Sequence, residues 1–200
     1  MMRSAQGEHG TSLAMLIVVL AAVSLLLMLS SDNLRPAAHR RGAESCAAVL
    51  AASMRAAAVE ATISGRSLGL VFPRTGSDEP LRWVHDGDGD GIRRDDIDAG
   101  IDAGPNAFWL SRDVDGCRVG RPALAGLIDL PPSTTPLTPS DPRVRFGSSR
   151  VVAFTPEATA TAGSVFVTAG GDAVCAVVVN GSTARTRLYC WEPRGLWVPR

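Results

Sequence analysis

An almost unbroken apolar run from Leu13 to Leu29, interrupted only by Ser24, constrains this chain most. A polar leader, MMRSAQGEHG, precedes it. At about 1.5 Å rise per residue, a helix over the run and its flanking residues (about 12–31) spans close to the ~30 Å hydrocarbon core of a bilayer. Such a helix satisfies its own backbone hydrogen bonds in lipid. The expectation is a single-pass anchor with everything beyond it tethered.

Three readings of the run stand side by side. A cleaved secretory signal would use Arg3 as its positive n-region, but LLLMLSSDN offers no A-x-A-like cleavage site. An uncleaved signal anchor is the second. The third is a prepilin-type leader of residues 1–10, cleaved after Gly10 so that Thr11 becomes the first mature residue and the helix is kept. Arg35, Arg40 and Arg41 follow the helix and only Arg3 precedes it, which by the positive-inside rule alone places the remainder in the cytoplasm. The cysteines and the loop chemistry downstream favour an extracytoplasmic domain instead.

The rest of the 200 residues suffices for one buried core. Net charge is zero, so nothing global favours nucleic acid or anionic lipid. All basic residues are Arg. The four cysteines, Cys46, Cys117, Cys175 and Cys190, form no C-x-x-C, which argues against zinc. In an exported domain they suit disulfides; in a cytosolic one they would be inert core thiols.

From Leu34 to Ile63 the chain stays helical but becomes Ala-rich. Cys46, Leu50, Met54, Ala58 and Ala61 recur at helical spacing, and this stripe needs a partner surface. Pro36 is expected to kink or break the helix, and Ser64-Gly65 to stop it. The domain organisation is thus a helix over 11–64 and a β-rich domain over 65–200. Strands are predicted at Ser67–Phe72, Leu81–His85, Ala107–Ser111, Arg143–Phe146, Arg150–Phe154, Ser164–Thr168, Ala173–Val179 and Ala184–Trp191. Asn180-Gly181-Ser182 reads as a hairpin turn that brings Cys175 near Cys190, the favoured pair; Cys46 and Cys117 are the second candidate pair. Pro131–Pro142 reads as an extended surface connection.

Three segments together resemble the minor pseudopilins of the GspH/FimT type, from type II secretion and type IV pilus systems. They are the leader ending in Gly10 with the apolar helix behind it; LAASMRAAAVEATISGRSLGLVF (Leu50–Phe72); and FTPEATATAGSVFVT (Phe154–Thr168) with the NGSTARTRL hairpin (Asn180–Leu188). The resemblance implies an α+β pilin-like fold, a long N-terminal helix on antiparallel sheet. It also implies processing by prepilin peptidase, with methylation of the new N-terminus, and residence in the bacterial inner membrane with the C-terminal domain in the periplasm. Its partners would be other pseudopilins or pilins in a filament that supports protein export. The family's first mature residue is usually Phe and its fifth Glu, whose carboxylate is thought to neutralise a neighbour's N-terminal amine. Thr11 and Met15 stand there in this chain. Two readings follow: a subunit that caps or initiates a filament, or a leader that is not processed.

Asp86-Gly-Asp88-Gly-Asp90-Gly91, followed by Asp95 and Asp96, is the sharpest chemical signal. Alternating carboxylates on a flexible loop suit a hard cation that wants several oxygens, so calcium is the one cofactor to consider. The start matches an EF-hand-like loop; its twelfth position is Ile97, which does not. A solvated acidic turn is the rival reading. Arg185 and Arg187 share one face of a predicted strand, with Arg143, Arg145 and Arg150 candidates to lie nearby. In some FimT-like pilins an Arg pair at this place is linked to DNA capture through backbone phosphates. The neutral charge favours an ordinary solvated face instead. The four Trp read as packing residues, and His9, His39 and His85 are isolated. With no G-x-S-x-G, P-loop or H-E-x-x-H, no active site and no small-molecule substrate are expected.

Overall fold

The computed structural model describes residues 8–74, 80–104, 107–192 and 194–200, and side chains within these apart from 8–12 and 26–34. The fold is α+β, with a long N-terminal helix and antiparallel sheets. The helix, α1, runs Glu8–Ser64, and the assignment continues through Pro36. The chain divides into two units, Met1–Ala38 and His39–Arg200.

In the first unit the apolar segment Leu13–Leu25 exposes its large side chains, Leu13 at 65% and Ile17 at 58%. It is a short apolar helix near the N-terminus, compatible with part of a membrane span or with a signal sequence; the side chains of 26–31, the end of the expected span, lie outside the described residues. Arg35–Ser64 is long and apolar enough to cross a bilayer. Ala43, Cys46, Ala47, Leu50, Ala51, Met54, Ala57 and Ala61 are, however, buried in the domain core. A helix so engaged cannot give that face to lipid, so this half is a core helix. Its small residues let strands approach closely, as where a Cβ on Gly42 would meet Ala169 Cβ at 2.8 Å.

In the second unit, β1 (Leu68–Val71), β2 (Leu81–His85), β3 (Ala107–Phe108) and β6 (Val151–Phe154) form one sheet in the order β3-β2-β1-β6. The other sheet runs β10-β9-β8-β7-β4, with β5 (Val144–Arg145) also on β7. Its strands are β4 (Arg118–Val119), β7 (Gly163–Thr168), β8 (Cys175–Val179), β9 (Thr186–Glu192) and β10 (Leu196–Pro199).

Strand alternation sends side chains to opposite faces, and both sheets use both faces. Leu68, Leu70 and Phe72 join the core beside α1, as do Val165, Val167, Val177, Val179 and Leu188. On the far side of the first sheet, Val71, Val84 and Val151 pack with Ile97 of α2 (Arg94–Ala99). On the far side of the second, Phe166, Val174, Ala176 and Trp197 pack with Leu127 and, less buried, Leu124 and Leu137.

Three features differ from expectation. Ala107–Ser111 is not one strand: β3 ends at Phe108, and α3 (Leu110–Asp113) follows, turning Leu110 into the core at 4% exposure. The two-residue β4 and the terminal β10 were too short or too Pro- and Gly-flanked to announce themselves by alternation. The Asn180 turn is longer than a tight hairpin, because Asn180 N–H donates to Arg185 O at 2.9 Å and closes a loop whose Ala184 has φ 50°. The Pro-rich segment is the surface connection expected, mostly exposed and without helix or named strand, and Leu137 ties it down. Leu137 N–H donates to Leu127 O at 2.7 Å, which holds it as a lid over the outer face of the second sheet.

Candidate metal centre

The acidic loop leaves the first sheet at the end of β2. Asp86 is buried at 7% exposure, and its N–H donates to Ser67 O at 3.1 Å, so the loop starts from a fixed point. The Asp86 carboxylate then folds the loop around itself. Oδ1 accepts from Gly89 N–H at 2.7 Å and Oδ2 from Gly91 N–H at 3.0 Å. Asp88 Oδ1 accepts from Asp90 N–H at 3.3 Å. Gly91 has φ 97°, a left-handed conformation that costs other residues about 1–2 kcal/mol. Ile92 then packs over β1, where a Cβ on Gly69 would lie 2.8 Å from Ile92 Cγ2.

Asp102, which the sequence reading did not single out, closes the loop. It is 1% exposed; Oδ1 accepts from Gly87 N–H at 3.1 Å and Oδ2 from Arg93 N–H at 3.0 Å. The only sequence signal was a carboxylate in an apolar setting shortly after Gly100, and nothing in its spacing ties it to Gly87. The N–H groups of Ile101 and Asp102 both donate to Asp96 O, at 2.8 and 3.1 Å, which folds α2 back onto the loop.

The result is two overlapping oxygen clusters. Asp86, Asp88 and Asp102 bring carboxylate atoms within 4.8 Å of one another, as do Asp88, Asp90 and Asp96. Asp88 belongs to both. Asp95 belongs to neither and points its exposed side chain elsewhere on α2. Partial desolvation holds the Asp90 pKa above its ordinary value, with the Asp88 and Asp96 carboxylates adding to the rise and Arg93 opposing it. Arg93 also pairs with Asp90, and Arg94 with Asp98 at 3.3 Å. An all-carboxylate donor set suits calcium or magnesium rather than a soft transition metal. Each carboxylate oxygen that accepts one N–H keeps a second lone pair for a cation.

The cysteines are joined as Cys46–Cys117, with Cα atoms 5.7 Å apart, and Cys175–Cys190, at 4.0 Å. Cys175 and Cys190 face each other in the β8–β9 register. The first bond fastens α1 to the segment entering β4; the second crosses two neighbouring strands.

The five arginines singled out in the sequence do not gather as one patch; Arg143 lines a different cavity from Arg185. Arg185 and Arg187 are exposed at the start of β9. Arg145 is held by Asp129 at 2.5 Å, and Arg150 donates to the carbonyls of Pro73 and Arg74 at 3.0 and 2.6 Å. Arg185 instead borders an apolar groove of about 510 Å³ with Arg55, Val59 and Ile63. Trp83 stacks on Phe108, and Trp191 meets Trp197 edge-on; Trp197 donates to Ile128 O at 2.9 Å. Gly10 and Thr11 lie in α1, but their side-chain surroundings and all of residues 1–7 lie outside the described residues.

No family model, curated protein or solved structure matches this chain.

Proposed function

We propose that this protein is a GspH/FimT-type minor pseudopilin. It acts as a structural subunit, not an enzyme, of a type II secretion pseudopilus or a type IV pilus-like filament, anchored in the inner membrane with its domain in the periplasm. The observation that carries the reading is one helix with two jobs. α1 is exposed and apolar from Leu13 to Leu25, and from Ala43 to Ala61 it forms the core of an antiparallel domain. The first stretch can sit in lipid and later among neighbouring helices, because both surroundings are dry and the helix is internally satisfied. Two disulfides favour an oxidising compartment. The mass of the mature N-terminus tests the proposal. A chain beginning at methylated Thr11 is the expected product; one that begins at Met1 points to a plain anchored domain, and one that begins beyond Leu29 to an ordinary soluble export.

A DNA-binding minor pilin is the second reading, favoured by the exposure of both Arg185 and Arg187 without a carboxylate partner among the described residues. Salt-sensitive retention on DNA that is lost in Arg185→Ala/Arg187→Ala supports it. No retention at low salt removes it.

The acidic loop is proposed to hold calcium through Asp86, Asp88, Asp90, Asp96 and Asp102. Chelation should then speed proteolysis between Asp86 and Asp98, and equal rates with and without chelator would count against the ion.

A further inference from the structure

Arg93, Arg94, Arg145 and Arg200 pair with Asp90, Asp98, Asp129 and Glu44. One cavity gathers three arginines that have no ion pair among the described residues. It has a volume of about 600 Å³ and is lined by Arg118, Arg121 and Arg143, with Leu124 and Leu137 among its apolar walls. Among the described residues, no carboxylate lines it.

The backbone holds these arginines in place. β4 and β5 pair in succession along the same strand, β7. Between the two pairings, Gly120 N–H donates to Phe166 O at 2.8 Å, and Phe166 N–H donates to Arg143 O at 2.9 Å. Phe166 therefore pins the residue before Arg121 and Arg143 itself. The Arg121 guanidinium lies 6.0 Å from the Phe166 ring centroid, and its Nη2 donates to the carbonyls of Thr138 and Asp141. Its Nε and Nη1 hydrogens remain available.

The nearest carboxylates lie outside the cavity lining and also bond elsewhere. Asp141 Oδ2 accepts from Thr138 N–H at 2.6 Å and from Thr138 Oγ1 at 2.9 Å, and Asp129 is paired with Arg145. Arg118 and Arg143 are exposed and have no ion-pair partner among the described residues. Desolvation lowers the Arg121 pKa; Asp141 and Asp129 oppose the lowering, and Arg145 and Arg143 add to it. Like charges collected in a concave site repel until an anion arrives.

We propose that this cavity binds a small phosphate monoester, its phosphate among Arg118, Arg121 and Arg143 and its organic part against Leu124 and Leu137. A monoester carries about −1.5 to −2 charge at neutral pH and several acceptor oxygens, which suits three guanidinium forks better than a single carboxylate does. The apolar wall distinguishes an ester from inorganic phosphate. The inference does not depend on filament assembly.

The test uses the full chain in detergent, with phenyl phosphate and inorganic phosphate as probes, followed by titration calorimetry at low salt. Phenyl phosphate should bind saturably at one site, roughly tenfold more tightly than inorganic phosphate because its ring covers apolar wall. Arg118→Gln and Arg143→Gln should each weaken it by about tenfold, the worth of one charge-assisted pair. Both side chains are exposed, so the fold should persist, as far-UV circular dichroism can check. Arg185→Gln, outside the cavity, should change nothing. Absence of saturable binding, or binding indifferent to Arg118→Gln and Arg143→Gln, overturns the proposal. So does displacement of phenyl phosphate by a short oligonucleotide at lower concentration than by phenyl phosphate itself, because that would assign the site to phosphodiesters.

Discussion

A Cβ built on Gly171 would lie 2.4 Å from Nδ1 of His39, so the β7–β8 turn rests directly on α1. Gly171 also has φ 53°, in the left-handed region. Gly171→Ala therefore faces two costs, about 1 kcal/mol or more for the backbone and about 1–3 kcal/mol for the forced displacement of a ring. Gly195→Ala is the control: its φ is 79° and nothing lies within 4 Å of an added Cβ, so only the backbone cost applies. Urea unfolding should rank Gly171→Ala clearly below Gly195→Ala. Equal midpoints would show that the turn does not press on His39.

The two disulfides should differ in what they contribute. Cys46–Cys117 closes 71 residues and Cys175–Cys190 closes 15. Chain-entropy arguments give about 4 kcal/mol for the longer loop and about 3 kcal/mol for the shorter, with strain able to reduce either. Denaturation of the double variants Cys46→Ala/Cys117→Ala and Cys175→Ala/Cys190→Ala should show the larger loss for the first. In the cross-strand pair the strands stay paired without the bond. In the long pair the tie between α1 and the chain entering β4 is lost. A larger loss from the second variant would contradict the loop argument.

The fold was legible where one periodicity dominated. The stripe at Cys46, Leu50, Met54 and Ala61 is buried, and Leu81–His85 is a strand with the bounds that alternation suggested. The second sheet was harder. Its strands are apolar on both faces, so the sequence did not say that Phe166 and Ala176 point away from α1 toward a roof made by Leu127 and Leu137. Prolines excluded regular structure from that roof but could not reveal what lay beneath it. The acidic loop was visible because its carboxylates are local in sequence. Asp102 was not, because its contacts to Gly87 and Arg93 depend on α2 turning the chain back. The roof segment separates Arg118 and Arg121 from Arg143 in sequence, and only pairing along β7 brings them to one cavity.

Within the acidic loop, two carboxylates should respond differently to removal. Asp102 is buried and accepts two backbone N–H groups, so Asp102→Ala leaves both donors unsatisfied and should cost about 1–3 kcal/mol in chelator, and more in calcium, where the stabilisation by the ion is lost as well. Asp88 is exposed and shared by both oxygen clusters. Asp88→Asn should change stability by no more than about 0.5 kcal/mol in chelator. In millimolar calcium it should abolish whatever gain in melting temperature the wild type shows, since ion binding to the native state stabilises by mass action. A wild-type melting temperature that ignores calcium would reduce the loop to a hydrogen-bonded acidic turn.

Asp90 and Asp141 should give acid stability slopes of opposite sign. The Asp141 pKa is lowered from 3.8, chiefly by the hydrogen bond from the Thr138 backbone and then by the Thr138 hydroxyl. Between that lowered value and 3.8 the unfolded chain holds more protons than the native one, so the Asp141 contribution rises with pH. It is fully present above the unfolded value and is lost as pH falls through the folded one. The Asp90 pKa is raised from 3.8, chiefly by desolvation. Between 3.8 and its folded value the native chain holds more protons, so the Asp90 contribution falls as pH rises. Asp141→Asn should therefore flatten the acid-side loss of stability, and Asp90→Asn should remove a decline on the way up from pH 3.8. Urea midpoints of wild type and both variants, measured from pH 2 to 6 in chelator, resolve the two contributions. Changes from the wild-type slope of the same sign in the two variants would show that one of the carboxylates does not keep these neighbours in solution.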